Sequence, residues 1–291
     1  MFNLSLTPPQ VEFVLKPGVT LTQAYQVTNE SDQSLTLNTQ VLPFLPSGDN
    51  GSVTYNNLIS NPNINFSLNN ADLKLGQPFT LQPQETRQLV LKINASSQTS
   101  LADYYATLFV YQSPDKSANG TTISQTSGQI GSHILLSVSD TENPKTEGVI
   151  HKFSLTPKIK DVFFTPIKFS GQIQNNSNYF FKTAGKITIS KNQQVIKELK
   201  LDSQNILANY YRQFSCDNQQ VCTLSPPLWP GKYTATLEFD SSLNIPSSSA
   251  SFIVMPISPL ILIGTIILIS YLISRISKFF PKNKSDQTSE S

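Results

Sequence analysis

The chain has 291 residues, of which only 14% are charged, and a net charge of +2, which leaves room for two domains of ordinary size. No basic patch is interleaved with aromatic residues, so nucleic acid is excluded as an expected partner. The polar complement is instead rich in Asn, Ser, Thr and Gln, as on many secreted β-proteins.

In chain order, the start (Met1–Phe13) carries neither a basic n-region nor an apolar h-region. A bulk that lies outside a membrane needs a leader, so the expectation is a leader removed upstream of this start, or a misassigned start; the alternative, a tail-anchored protein of opposite orientation, would carry four basic residues across the membrane. Val11, Phe13 and Leu15 alternate, and after the turn Lys16-Pro17-Gly18 a strand is predicted over Thr20–Thr28. Asn29-Glu30-Ser31-Asp32 then reads as a turn, since Asn, Asp and Ser tolerate left-handed backbone and cap their own turns. Asp49-Asn50-Gly51 is a tight turn; calcium would need a carboxylate spacing that is absent. Leu89, Leu91 and Ile93 alternate, as do Ile134, Leu136 and Val138. Asp103-Tyr104-Tyr105 is expected to begin a strand, with the two tyrosines split between core and surface. His133 falls on the face opposite Ile134, the expected solvent side.

Ser139–Val149 is polar and carries Pro144 and Gly148, which marks a boundary. Beyond it lie a strand at Lys168–Gln174, the cluster Asn175-Asn176-Ser177-Asn178, and a hairpin whose arms, Lys186–Ser190 and Val195–Leu201, flank Lys191–Gln194. The two halves echo each other, through duplication or through the shared grammar of β-sandwiches. Cys216 and Cys222, the only cysteines, enclose a short polar loop and are expected to form a disulfide in an oxidising compartment. Tyr210, Tyr211 and Trp229 are candidate ligand platforms, because exposed aromatics on a rigid sandwich stack on sugars or anchor partners; Trp229 could instead pack against the core at a strand corner. In Gly231–Asp240, Tyr233, Ala235, Leu237 and Phe239 share one face.

No residue from Ser241 to Ser274 is charged, and within that stretch Met255–Ile273 is almost wholly apolar. About 20 such residues at a rise of 1.5 Å each make a helix about 30 Å long, the thickness of a bilayer's hydrocarbon core. Arg275, Lys278, Lys282 and Lys284 follow at once and set the expected topology: cytoplasmic tail, N-terminal bulk outside.

No 3.6-residue stripe precedes Met255, and turn signals recur at about the spacing of sandwich strands. The fold class expected is therefore all-β: two tandem immunoglobulin-like β-sandwiches (1–140 and 150–251) joined by a linker (141–149), then a single transmembrane helix (252–274) and a basic tail (275–291). No nucleophile motif surrounds either histidine, His133 or His151, and no metal-ligand spacing occurs. Neither an enzyme nor a cofactor is expected.

Val11–Phe44 has the order strand, Pro-Gly turn, strand, Asn-x-Ser-Asp turn, strand. With Asp103-Tyr104-Tyr105, Gly131–Ser139, Ile173–Ile189 and Trp229–Tyr233, it resembles the WxL-interacting cell-wall proteins of Gram-positive bacteria. That resemblance implies a peptidoglycan-binding first domain, a second immunoglobulin-like domain and one membrane anchor; the cysteine pair departs from it. The expected function is membrane-anchored adhesion or scaffolding at the cell surface, with the bilayer and a cell-wall polymer or surface protein as partners. The alternatives are a pilus-chaperone-like protein that donates a strand to a client, and a tethered sensor or enzyme.

Overall fold

The computed structural model describes residues 3–56, 61–112, 128–164, 166–217, 219, 221–240 and 243–279. The first sandwich comprises β1 (Leu4–Thr7), β2 (Gln10–Leu15), β3 (Thr20–Asn29), β4 (Leu35–Ser47), β5 (Ser52–Tyr55), β6 (Ile64–Leu68), β7 (Phe79–Leu81), β8 (Thr86–Ala95), β9 (Ala102–Gln112) and β10 (Gln129–Val138). One sheet runs β1-β3-β8-β6 and the facing sheet β2-β10-β9-β4-β5, with β7 also on β4. Period-two alternation builds the core between them: Leu89, Leu91 and Ile93 on β8 meet Leu108 and Val110 on β9 and Ile134, Leu136 and Val138 on β10.

The second sandwich comprises β11 (Gly148–Thr156), β12 (Ile159–Asp161), β13 (Ile167–Asn175), β14 (Phe181–Thr183), β15 (Gly185–Lys191), β16 (Gln194–Lys200), β17 (Gln204–Ile206), β18 (Tyr211–Gln213), β19 (Cys222–Leu224), β20 (Gly231–Phe239) and β21 (Ser248–Met255). Its sheets run β11-β13-β18, with β19 also on β13, and β12-β21-β20-β15-β16; β14 and β17 pair alone. Its core is separate from the first and centres on Phe169, Tyr233 and Phe252. A single helix, α1 (Ile257–Phe279), follows, and Ile257–Ile276 is long and apolar enough to cross a membrane.

One boundary differs from the sequence reading. Residues 252–255, expected at the start of the membrane helix (252–274), instead complete β21, which pairs along β20. Phe252 and Val254 are buried, and Phe252 stacks on Tyr233 at 5.2 Å, so the first residues of an apolar run that reads as lipid-facing belong to a core strand. Pro256 then ends the strand, and the helix starts at Ile257.

The echo between the halves is atomic. Asn29 and Asn175 are both fully buried at the ends of β3 and β13. Asn29 Nδ2 donates to the carbonyls of Gln33 and Gln82, and its Oδ1 accepts from Ser31 N and Oγ. Asn175 Nδ2 donates to Tyr179 and Ile206 carbonyls, and its Oδ1 accepts from Ser177 N and Oγ. Each amide thus replaces the hydrogen bonds that a chain reversal under the sheet would otherwise leave unmade. Tyr104 and Tyr233, at the starts of β9 and β20, each donate to a carbonyl four residues upstream, those of Ser100 and Trp229; this is the tyrosine corner of immunoglobulin-like sandwiches. The sequence Ser-Leu-Thr-Pro also occurs twice, at Ser5–Pro8 and Ser154–Pro157. Both copies end in a cis proline, where the chain leaves one sheet and pairs in parallel with the last strand of the other.

Candidate functional site

The outer face of β9 carries Asp103, Tyr105, Thr107 and Phe109, because Leu108 and Val110 take the inner one. Phe44 from β4 stacks on Tyr105 (centroids 5.6 Å apart) and meets the edge of His133 (5.1 Å), while Tyr55 from β5 packs on Phe109 (5.0 Å). Such a face would be costly in water, and the second sandwich docks over its Asp103, Tyr105 and His133 part. His133 therefore lies half-buried rather than on the solvent side as its position in the strand pattern implied. Its Nδ1 bonds Thr107 Oγ1 at 2.8 Å, and burial lowers its pKa.

Asp103 pins the two domains together. Its carboxylate accepts from Ser137 Oγ (2.5 Å), Tyr105 Oη (2.7 Å) and the backbone N–H of Phe180 in the second domain. The Asp103 N–H donates to the carbonyl of Asn178, and Tyr105 Oη accepts from Ala208 N at 2.9 Å. Burial raises the Asp103 pKa, partly offset by the three donors. At the other margin, the β4–β5 turn docks on the second domain: Asp49 accepts from Gln172 Nε2 (2.8 Å) through its side chain and from Gln213 N (2.6 Å) through its carbonyl. Gly51 in this turn has φ +86°, a backbone region that favours glycine, and a Cβ there would have to displace the Arg212 guanidinium, 2.5 Å away. Glu12 accepts from Asn205 Nδ2 at 2.6 Å.

Beside this junction opens a cleft of about 540 Å³. Pro43, Phe44, Phe66, Tyr104 and Tyr105 line it from the first domain, and Asn178, Ala208, Asn209 and Tyr210 from the second; Asn61 supplies a further amide. Rings and amides dominate, and Asp103, the one lining carboxylate among the described residues, already holds three donors. The cleft can therefore stack and hydrogen-bond a ligand of mixed polarity. No cluster of His, Cys, Asp and Glu able to hold a metal occurs among the described residues.

The candidate platforms separate. Tyr210 and Tyr211 stack on each other at 4.9 Å. Tyr210 lines the cleft, while both tyrosines line a smaller hollow of about 80 Å³ beside His133 and Arg212. Trp229 joins neither and does not pack into the core. It is 81% exposed, in the loop before β20. Cys216 and Cys222 form the expected disulfide, across a loop beside β19. Arg275 lies exposed in the last turns of α1, which also include Lys278; Lys282 and Lys284 lie outside the described residues. Sequence reasoning missed Phe44, Asn178 and Asn209 as cleft residues, since each is ordinary in its own segment and only the docking of the two domains brings them together.

No protein-family model and no curated protein matches the chain in sequence. Among solved structures, it is similar to the E. coli chaperone DraB (13% identity, TM-score 0.39, covering 87% of this chain and 97% of that one). It is also similar to the CupB2 chaperone of Pseudomonas aeruginosa (10%, 0.38, 86% and 100%). A third similarity is to the CsuC–CsuE chaperone–tip adhesion subunit complex of Acinetobacter baumannii (10%, 0.39, 75% and 92%). The likeness is one of architecture: two immunoglobulin-like sandwiches in tandem.

Proposed function

We propose that this chain is a membrane-anchored surface protein that holds a cell-wall polymer or a surface protein in the cleft between its sandwiches. The observation that carries this reading is the cleft itself: ring faces from both domains and the amides of Asn61, Asn178 and Asn209, fixed in place by the Asp103 and Asp49 contacts, on a chain whose second sandwich leads into an apolar helix of membrane-spanning length. The basic residues that begin at Arg275, in the last turns of that helix, support an external ectodomain and a cytoplasmic tail. The resemblance of Val11–Phe44 to WxL-interacting proteins favours a polymer ligand, and CH faces of sugars suit Tyr104, Tyr105 and Tyr210. The reading is one of binding: the described lining offers ring faces and amides for a ligand.

The test is co-sedimentation of the detergent-solubilised full chain with isolated Gram-positive cell wall, and capture of surface proteins from the same cells. Tyr210→Ala is expected to weaken retention about tenfold, equivalent to about 1.4 kcal/mol. Retention unchanged by Tyr210→Ala and Asn209→Ala together would overturn the cleft as the site.

A second reading is a chaperone-like protein that pairs with a client strand. It draws on β16, an edge strand with Val195 and Ile196 exposed. The outer edge of β10 is less suited, because β2 occupies it from His133 to Val138. Loss of a co-purifying client in Ile196→Lys, with cleft binding intact, would favour this reading.

A further inference from the structure

The end of the second domain from which α1 leaves carries large apolar side chains that cover nothing. Trp229 is 81% exposed, Phe164 75%, Phe163 53% and Ile159 53%. Hydrogen bonds draw their segments together around the start of the helix. Leu228 N donates to the Val162 carbonyl (3.3 Å), and Val162 N to that of Met255 (3.2 Å), the last residue of β21. Only Pro256 separates Met255 from the first helical residue, Ile257. The carboxylate of Asp161 accepts from Phe163 N at 2.8 Å, and from Ser258 N and Oγ at 2.7 and 2.9 Å. One side chain thus fixes both the Phe163–Phe164 loop and the first turn of α1. It does so where Pro259 has no N–H to satisfy and a negative charge suits the helix N-terminus.

This geometry removes the slack that would let the domain stand away from the membrane. If Ile257–Ile276 spans the hydrocarbon core, whose thickness takes about 20 helical residues, Ile257 lies at its outer boundary. Side chains clustered around Asp161 and Ser258 are then at headgroup depth, where Trp and other aromatic side chains are favoured. Lys158 and Lys232, exposed near the same end of the domain, suit lipid phosphates.

We propose that Trp229, Phe163, Phe164 and Ile159 form a foot seated in the interfacial layer of the bilayer, so that the second domain stands rigidly on the membrane rather than on a tether. This rests on the reading of α1 as a membrane helix. Trp229 is the only tryptophan of the chain, so its fluorescence reports on the foot alone.

The experiment reconstitutes the full chain into phosphatidylcholine vesicles, plain or brominated at shallow or deep acyl positions. Association is checked separately, by flotation and resistance to alkaline extraction. The expected result is a blue-shifted Trp229 emission that shallow bromine reduces by about half and deep bromine reduces less, as for an interfacial ring. Phe163→Ser with Phe164→Ser should move the emission to the red and weaken the quenching while flotation persists. Three results would overturn the proposal. A chain that floats but shows water-like, unquenched emission would leave the anchor standing and remove the foot. A blue shift immune to bromine would assign the patch to a second copy or another protein. Failure to float would remove the membrane reading and the foot together.

Discussion

At the residue scale, burial acts on single titratable groups that the strand pattern places correctly but whose surroundings it does not reveal. The pKa of His133 is lowered because its ring sits among Phe44 and Thr107 beneath the second domain. The unfolded chain therefore binds the proton more readily. Stability from this site is present above the unfolded value of about 6.5 and is lost as pH falls through it. Urea midpoints measured between about pH 5 and pH 8 should rise with pH across that window, and His133→Gln should flatten the rise. Lys160 is buried on β12 with no partner for its Nζ among the described residues, and desolvation lowers its pKa against the weaker opposing pull of Asp161. Replacing it with methionine fills similar volume without an unpaired ammonium. Lys160→Met should stabilise the protein by about 1 kcal/mol in chemical denaturation. The variant should also lose the gain in stability that the wild type shows as alkaline pH discharges the lysine.

At the element scale, the buried asparagines at the ends of β3 and β13 close the first chain reversal of each sandwich. Asn29→Ala removes one donor from the Gln33 and Gln82 carbonyls and the acceptor of the Ser31 N–H and hydroxyl, and Asn175→Ala does the equivalent in the second domain. Each is expected to cost about 2–4 kcal/mol, read as a shift in urea midpoint. Similar costs would show that the two sites are equivalent in energy as well as in geometry. The start of α1 depends on Asp161, whose pKa is held down to about 2, first by the N–H of Phe163 and then by that of Ser258. Its contribution is present above the unfolded carboxylate value and is lost as pH falls through about 2. At neutral pH, Asp161→Ala should free the Met255–Ser258 junction, and limited proteolysis should cut there several-fold faster while both sandwiches stay intact.

At the scale of the whole molecule, the Asp103 contacts and the aromatic face around Phe44 make the two sandwiches one docked unit. Calorimetry of the full chain in detergent should show one dominant ectodomain transition. Asp103→Ala leaves the Phe180 N–H and two hydroxyls without their acceptor, at a cost of about 2–3 kcal/mol, and should split that transition into two. Tyr210, held between the domains, should then lose its fixed place in the cleft, and ligand retention should fall in parallel.

The amino-acid sequence carries the all-β class, the two sandwiches, the Asn-x-Ser turns, the disulfide and the apolar C-terminal helix. Each of these is written in local periodicity, in turn chemistry or in a short spacing such as that between Cys216 and Cys222. It also divided Tyr104 from Tyr105, since neighbours on a strand face opposite ways. Only the tertiary structure decided that the outer face of Tyr105 and His133 is covered, that Asp103 joins two domains, and that Trp229 stands by the helix instead of beside Tyr210. It also made Phe252 and Val254 core residues rather than lipid-facing ones. The physical reason is that periodicity fixes which side of a strand a residue occupies, while what covers that side depends on segments some seventy or more positions away, as Phe180 lies from Asp103.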